Sequence, residues 1–204
     1  MSNYQTPLRD INFALFELLG YSHHCSVIGQ TALDTELDNT FLVEAARFSE
    51  TVLAPLGPLG DRAGCQLVDG KVITPPGFKE AYQQYCAAGW PTLSRSTLYG
   101  GQGLPQSLGI VLSEILGTPN WAWGMYVGLS QGAMHTIETH GSLRQKQQYL
   151  PSLISGRWTG TMCLTEAQAG SDLGLLKTKA EACADGSYKI TGTKIFISSG
   201  DHDP

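Results

Sequence analysis

No run of eighteen apolar residues occurs in the chain, so no segment has the length and character of a transmembrane helix. Paired cysteines are missing too. Cys25, Cys65, Cys86, Cys163 and Cys183 are scattered, odd in number and never spaced as CxxC, which argues against a disulfide framework or a thiolate zinc site. Basic residues are few: 13 Lys and Arg against 18 Asp and Glu leave a net charge of −5, and nucleic acid is not an expected partner. Met1 to Asp10 is polar and has no apolar signal core, which predicts a cytoplasmic chain away from membranes. Internal repeats and low-complexity tracts are absent. What is present is a globular composition, 42% hydrophobic over 204 residues, enough for one large domain or two small ones.

The pattern of apolar residues changes near residue 157. Before it, helical periodicity dominates. Leu8, Ile11, Leu15, Leu18 and Leu19 make a stripe that Gly20 ends. Residues 21–37 carry no strong pattern. A helix from Asp38 with Phe41, Leu42, Ala45, Phe48 and Val52 on one side is expected to stop at Pro55 and Pro58. Gln66–Ile73 reads as a hairpin on Asp69-Gly70. Helices follow over 78–88, from Pro105 to about 116, from Asn120 to about 139, and from Ser142 to about 155. After 157 the period becomes two. Strands are expected over 159–165, 175–184 and 187–198, with Asp185-Gly186 as a turn. The predicted class is α+β: an all-α N-terminal domain, then an incomplete antiparallel β-barrel domain. Three strands without return partners leave open edges, which leads us to expect an N-terminal piece of a larger protein.

The segment from Cys163 to Asp172 joins an apolar run to a tight Gly170-Ser171-Asp172 turn. Small residues there let a planar ligand approach the backbone, although Ser171 or Asp172 also reads simply as a turn cap. On the last predicted strand, Lys194, Phe196 and Ser198 share one face and Ile195 and Ile197 the other. An aromatic flanked by polar groups suits a heteroaromatic ring, or equally an ordinary sheet edge. His135, Glu138 and His140 are spaced i, i+3, i+5, which is not a two-histidine zinc face, and His23-His24-Cys25 reads as a solvated loop. Gly101-x-Gly103 lacks the third glycine of a dinucleotide fingerprint.

Taken together, Met162–Asp172, the Leu173–Glu181 continuation and Asp185–Gly200 resemble, in order and spacing, the middle β-domain of the acyl-CoA dehydrogenase family. Tyr99–Pro105 resembles a loop of that family's helical N-terminal domain. Tyr4–Asp10 with Phe13 resembles an extension in a large-subunit branch, which includes enzymes similar to the 3-methylmercaptopropionyl-CoA dehydrogenases. The resemblance implies an extension over 1–37, a helical domain over 38–156 and a partial middle β-domain over 157–204. It implies FAD as cofactor, with Met162, Leu164 and Thr165 contacting the flavin ring, Gly170 allowing close approach, and Ser171 near the pyrophosphate and the pantetheine arm. Phe196 matches an aromatic, often Trp, packed on the ring, and Ser198 a hydroxyl near its N5 edge. Ala167-Gln168 departs from the commoner Pro-x pair of the family. Met125 and Leu129 match a helix beside the acyl chain. Glu166 has no catalytic counterpart and is read as structural.

The implied function is FAD-dependent α,β-dehydrogenation of an acyl-CoA, with an electron-transfer flavoprotein or similar acceptor and a homo-oligomeric parent. The family's catalytic base belongs to a C-terminal domain, so no catalytic residue is assigned. The 204 residues alone are expected to lack turnover and to bind FAD weakly or not at all. Three alternatives stand beside this: an oxidase of the same superfamily, a non-catalytic flavoprotein-like scaffold that binds DNA or protein, and an inactive truncated remnant.

Overall fold

The computed structural model describes residues 4–30 and 35–203. Helix α1, Leu8–Asn12, runs on as a π-helical segment, Phe13–Leu18, and closes at Gly20 with φ +56°, a conformation glycine adopts at no steric cost. Helix α2 spans Tyr21–Val27, where no pattern was legible. Only Tyr21 and Cys25 bury, one turn apart, and a two-residue face is too thin to register as periodicity. Helix α3, Thr35–Phe48, starts three residues before Asp38 and passes through a π-helical turn, Ser49–Leu53, into α4, Ala54–Ala63. Pro55 and Pro58 therefore do not stop the helix. Pro55 sits at the start of α4, where the preceding wide turn has already changed the hydrogen-bond ladder that its ring would disrupt.

Strands β1, Gln66–Val68, and β2, Lys71–Ile73, pair antiparallel through the Asp69-Gly70 turn. Helices α5, Phe78–Ala87, α6, Gln106–Gly117, α7, Trp121–His140, and α8, Leu143–Ile154, complete the helical part. Asn120 caps α7 by accepting from Trp123 N–H. Ser142 and Gln145 form a reciprocal capping box on α8. The main core lies between α3, α5, α6 and α7 around Trp123, which is fully buried, donates Nε1–H to the Phe78 carbonyl and meets Phe48 and Tyr85 edge-on.

Strands β3, Lys179–Ala182, and β4, Tyr188–Thr191, form the second antiparallel pair. The described residues thus hold two two-stranded sheets and no closed barrel, in keeping with an α+β chain whose β part is incomplete. Two expected strands are shorter than predicted and one is missing. Residues 159–165 join no ladder; the 175–184 strand is reduced to β3; the 187–198 strand ends at Thr191. Beyond it, Phe196 (φ +54°) and Ser199 (φ +52°) turn left-handed, which β geometry does not allow.

Candidate functional site

The wall of the site is made by two stretches that lie outside the sheets, 161–165 and 194–198. They are tied where Ile195 N–H donates to the Thr165 carbonyl at 2.9 Å and where the Thr161 hydroxyl donates to the Ser198 carbonyl at 2.6 Å. The first stretch is anchored to α7: Gly160 N–H donates to Ser130 Oγ, and a Cβ at Gly160 would lie 2.5 Å from that of Ala133. The second is anchored by Lys194. Its ammonium donates to the Leu164 carbonyl at 3.0 Å and to Glu166 Oε1 at 2.9 Å. Lys194 therefore points into the wall, while Phe196 stands 86% exposed. The alternation that put these two residues on one strand face fails because the positive φ at Phe196 breaks the period.

Glu166 is the knot beneath this wall. It is 4% exposed. Besides Lys194 it accepts from Gln168 Nε2 at 2.6 Å, Lys177 N–H at 2.8 Å and Thr178 N–H at 2.9 Å. Hydrogen bonds from Thr178, Lys177 and Lys194 hold its carboxyl far below the ordinary carboxylate range. A carboxylate this fully engaged is a poor proton acceptor.

The wall itself is open. Met162, Gly170, Ser171 and Ser198 are exposed, and Leu164 and Thr165 are half-buried. Among the described residues, the N–H groups of Leu164 and Thr165 and the hydroxyls of Thr165, Ser171 and Ser198 make no hydrogen bond within the chain. A Cβ on Gly170 would meet only Thr165 Cγ2, at an ordinary 3.5 Å, so the protein's own packing does not require glycine there. Free donors beside an exposed aromatic ring are what a planar, acceptor-edged group such as a flavin needs, and the residues present fit one.

Ser198 also borders a cleft of about 660 Å³, whose opposite wall includes Met125, Tyr126 and Cys65. Leu129, one turn along α7 from Met125, is half-buried. The chain's last described residues dock on the same side. Asp203 Oδ1 accepts from Thr74 Oγ1 at 2.6 Å and Thr74 N–H at 2.9 Å, and His202 stacks on Tyr126 at 5.0 Å. Burial lowers the pKa of His202, while the hydrogen bonds from Thr74 lower that of Asp203. Sequence reasoning did not single out this contact, because nothing local announces a pairing across 129 residues.

On another face of α7 lies a separate cavity of about 250 Å³ between α5, α6 and α7. Trp121, Gly124, Val127, Gly128 and Gln131 of α7 line it, facing Tyr85, Leu112 and Leu116. The Tyr99–Pro105 loop sits near its inner end. Gly103 N–H donates to the Arg95 carbonyl, and any Cβ on Gly101 would strike that same carbonyl.

Comparison with known proteins places this geometry in context. A family model described as "Acyl-CoA dehydrogenase, N-terminal domain" matches residues 35–157. The chain is 43% identical over 202 residues to a 3-methylmercaptopropionyl-CoA dehydrogenase of Ruegeria pomeroyi, covering 98% of this chain and 34% of that protein. It is similar to the solved butyryl-CoA dehydrogenase of Megasphaera elsdenii, with TM-score 0.67 and 27% identity over 83% of this chain and 42% of that one. An acyl-CoA dehydrogenase of Bacillus anthracis, solved in complex with FAD, shares the fold, with TM-score 0.63 and 21% identity over 80% of this chain and 27% of that one. The chain spans about a third of the length of the curated relatives it matches.

Proposed function

Because the chain belongs to the acyl-CoA dehydrogenase family, we propose that its exposed wall carries the isoalloxazine of FAD in an enzyme that dehydrogenates an acyl-CoA thioester. The observation that carries this reading is the row of unpartnered donors at 164–165 and 198 beside the exposed ring of Phe196. Leu164 and Thr165 N–H, with the Thr165 hydroxyl, would hold the polar edge of the ring. Met162 and Phe196 would cover its apolar surface, and Ser198 would hydrogen-bond near N5. Gly170 and Ser171 would meet the pyrophosphate and the pantetheine arm. FAD bound there would supply the hydride acceptor for the substrate β-carbon. No residue of the chain is assigned as the base that takes the α-proton.

The acyl chain needs an apolar slot. Met125 and Leu129 stand on α7 on the side of the wall, and the cleft of about 660 Å³ that Met125 and Ser198 both line offers the volume, within the ~300–1,000 Å³ typical of small-ligand pockets. We keep the division at 37/38 and 156/157 as part of this proposal. An electron-transfer flavoprotein as acceptor, and a homo-oligomeric parent, belong to it as well.

The test is titration of the chain with FAD, followed by flavin fluorescence and the visible band. Weak, saturable binding is expected. Phe196→Ala should weaken it about tenfold, from a ring contact worth roughly 1–3 kcal/mol, without changing far-UV circular dichroism. Binding indifferent to both Phe196→Ala and Ser198→Ala refutes the placement.

A further inference from the structure

Lys194 turns its charge inward. A lysine stem ordinarily carries its ammonium out to water, but this side chain is 21% exposed and its ammonium meets two acceptors, the Leu164 carbonyl at 3.0 Å and Glu166 Oε1 at 2.9 Å. Neither the fold nor the carboxylate depends on it alone. The 161–165 and 194–198 stretches are already tied by Ile195 N–H on the Thr165 carbonyl and by the Thr161 hydroxyl on the Ser198 carbonyl. Glu166 already accepts from Gln168, Lys177 and Thr178. What Lys194 adds is a positive charge on one particular carbonyl.

That carbonyl shares a peptide unit with the Thr165 N–H. Among the described residues no peptide bond is cis, so the unit is planar and trans, and its C=O and N–H point in opposite directions. With the ammonium on the Leu164 oxygen, the Thr165 N–H is directed away from Lys194, and it makes no hydrogen bond within the chain. The following peptide is held as well: the Thr165 carbonyl accepts from Ile195 N–H, and Glu166 N–H donates to the Ala169 carbonyl at 2.8 Å. The free N–H therefore sits on a restrained backbone. A charge-assisted hydrogen bond draws electron density toward the carbonyl oxygen and leaves the N–H at the other end of the unit a stronger donor. The ammonium, not the carboxylate of its partner, touches the carbonyl, so the positive end of the pair faces the peptide.

A hydride delivered to a flavin brings two electrons and one proton, and leaves the ring one charge more negative. Donors directed at its polar edge are then held more strongly after transfer than before, which is the kind of interaction that favours the transfer itself. We propose that Lys194 is a positioning residue for hydride transfer: through the Leu164–Thr165 peptide it aims and strengthens the Thr165 N–H, and so favours the reduced over the oxidised cofactor. This rests on the reading of the wall as the flavin site. Glu166 holds the ammonium in place and tempers its charge.

The probes are FAD and dithionite-reduced FAD, each titrated anaerobically into the chain by calorimetry. The readout is the ratio of the oxidised to the reduced dissociation constant, which a loss of mere support, weakening both forms alike, does not move. Lys194→Met keeps the apolar stem and should lower the ratio about tenfold, the scale of one charge-assisted hydrogen bond and the equivalent of about 30 mV for a two-electron couple. Glu166→Gln removes the carboxylate but leaves the ammonium on Leu164, and should keep or raise the ratio. The double variant of Glu166→Gln with Lys194→Met leaves no unpaired buried carboxylate. It covers the case in which Lys194→Met alone does not fold, and should show the same tenfold fall. A ratio unmoved by removing Lys194, or lowered equally by Glu166→Gln, overturns the inference alone. A wild-type chain that binds neither form of FAD overturns the flavin reading beneath it, and the inference falls with it.

Discussion

Gly156 joins the end of α8 to the stretch that leads into the exposed wall at 161–165, and replacing it with alanine tests how tightly that joint is set. Its φ is +75°, and a Cβ there would collide with Cys86 Sγ and lie 3.4 Å from the Tyr82 hydroxyl, which itself donates to the Gly156 carbonyl at 3.0 Å. Two effects add in Gly156→Ala. The left-handed backbone costs about 1–2 kcal/mol for a residue with a Cβ, offset by roughly 0.4–1 kcal/mol of lost freedom in the unfolded chain. The collision adds about 1–3 kcal/mol, as overpacking of a tight site does. The backbone part nets to about 0–1.5 kcal/mol, so the expected loss is about 1–4.5 kcal/mol in urea unfolding followed by circular dichroism. Cys86→Ala removes the struck atom. In that background Gly156→Ala should cost only the backbone part, about 0–1.5 kcal/mol, leaving a coupling of about 1–3 kcal/mol in the double-mutant cycle. An equal cost of Gly156→Ala in both backgrounds would refute the steric argument.

Two further outcomes follow from groups around the site. Glu166 has a folded pKa lowered below its unfolded value, so its contribution to stability is complete above about pH 4.3 and is lost as pH falls through the lowered folded value; the stability gap between wild type and Glu166→Gln should narrow from pH 7 to pH 3, and a gap independent of pH would contradict the assignment. Thr74→Val keeps shape but removes the hydroxyl that donates to Asp203, which should cost about 1 kcal/mol at this partly exposed contact and loosen His202 from Tyr126. The His202 imidazole, lowered by burial, should then titrate closer to the ordinary value of about 6.5 in proton NMR; an unmoved midpoint would show that the stack does not depend on Thr74.

Features that live in a few adjacent residues were legible in the sequence. Asn120 and Ser142 read as helix caps and act as such, and Asp69-Gly70 turns the hairpin where expected. Pro55 and Pro58 misled because a proline's effect depends on the backbone four residues earlier, and the π-helical turn there is not encoded in any local pattern. The facing of Phe196 was missed because alternation presupposes β dihedrals, and φ +54° at that residue suspends the rule. The resemblance implied a shared ligand for residues of the 161–165 and 194–198 stretches, but Lys194 as the anchor to Glu166 was not legible; a lysine gives no sign of which carboxylate it will meet.

The contact between Thr74 and Asp203 spans 129 positions, while the helical core closes over shorter separations, α6 on α7, α7 on α8 and α3 on α6. Loop closure of that length is slow to form and gains nothing until both ends are present. On a ribosome, the helical part can therefore collapse around Trp123 while the site is still open on one side. The contact that seats His202 and Asp203 beside the cleft can form only after residue 203 has emerged, so this border of the site is a late event in the life of the nascent chain.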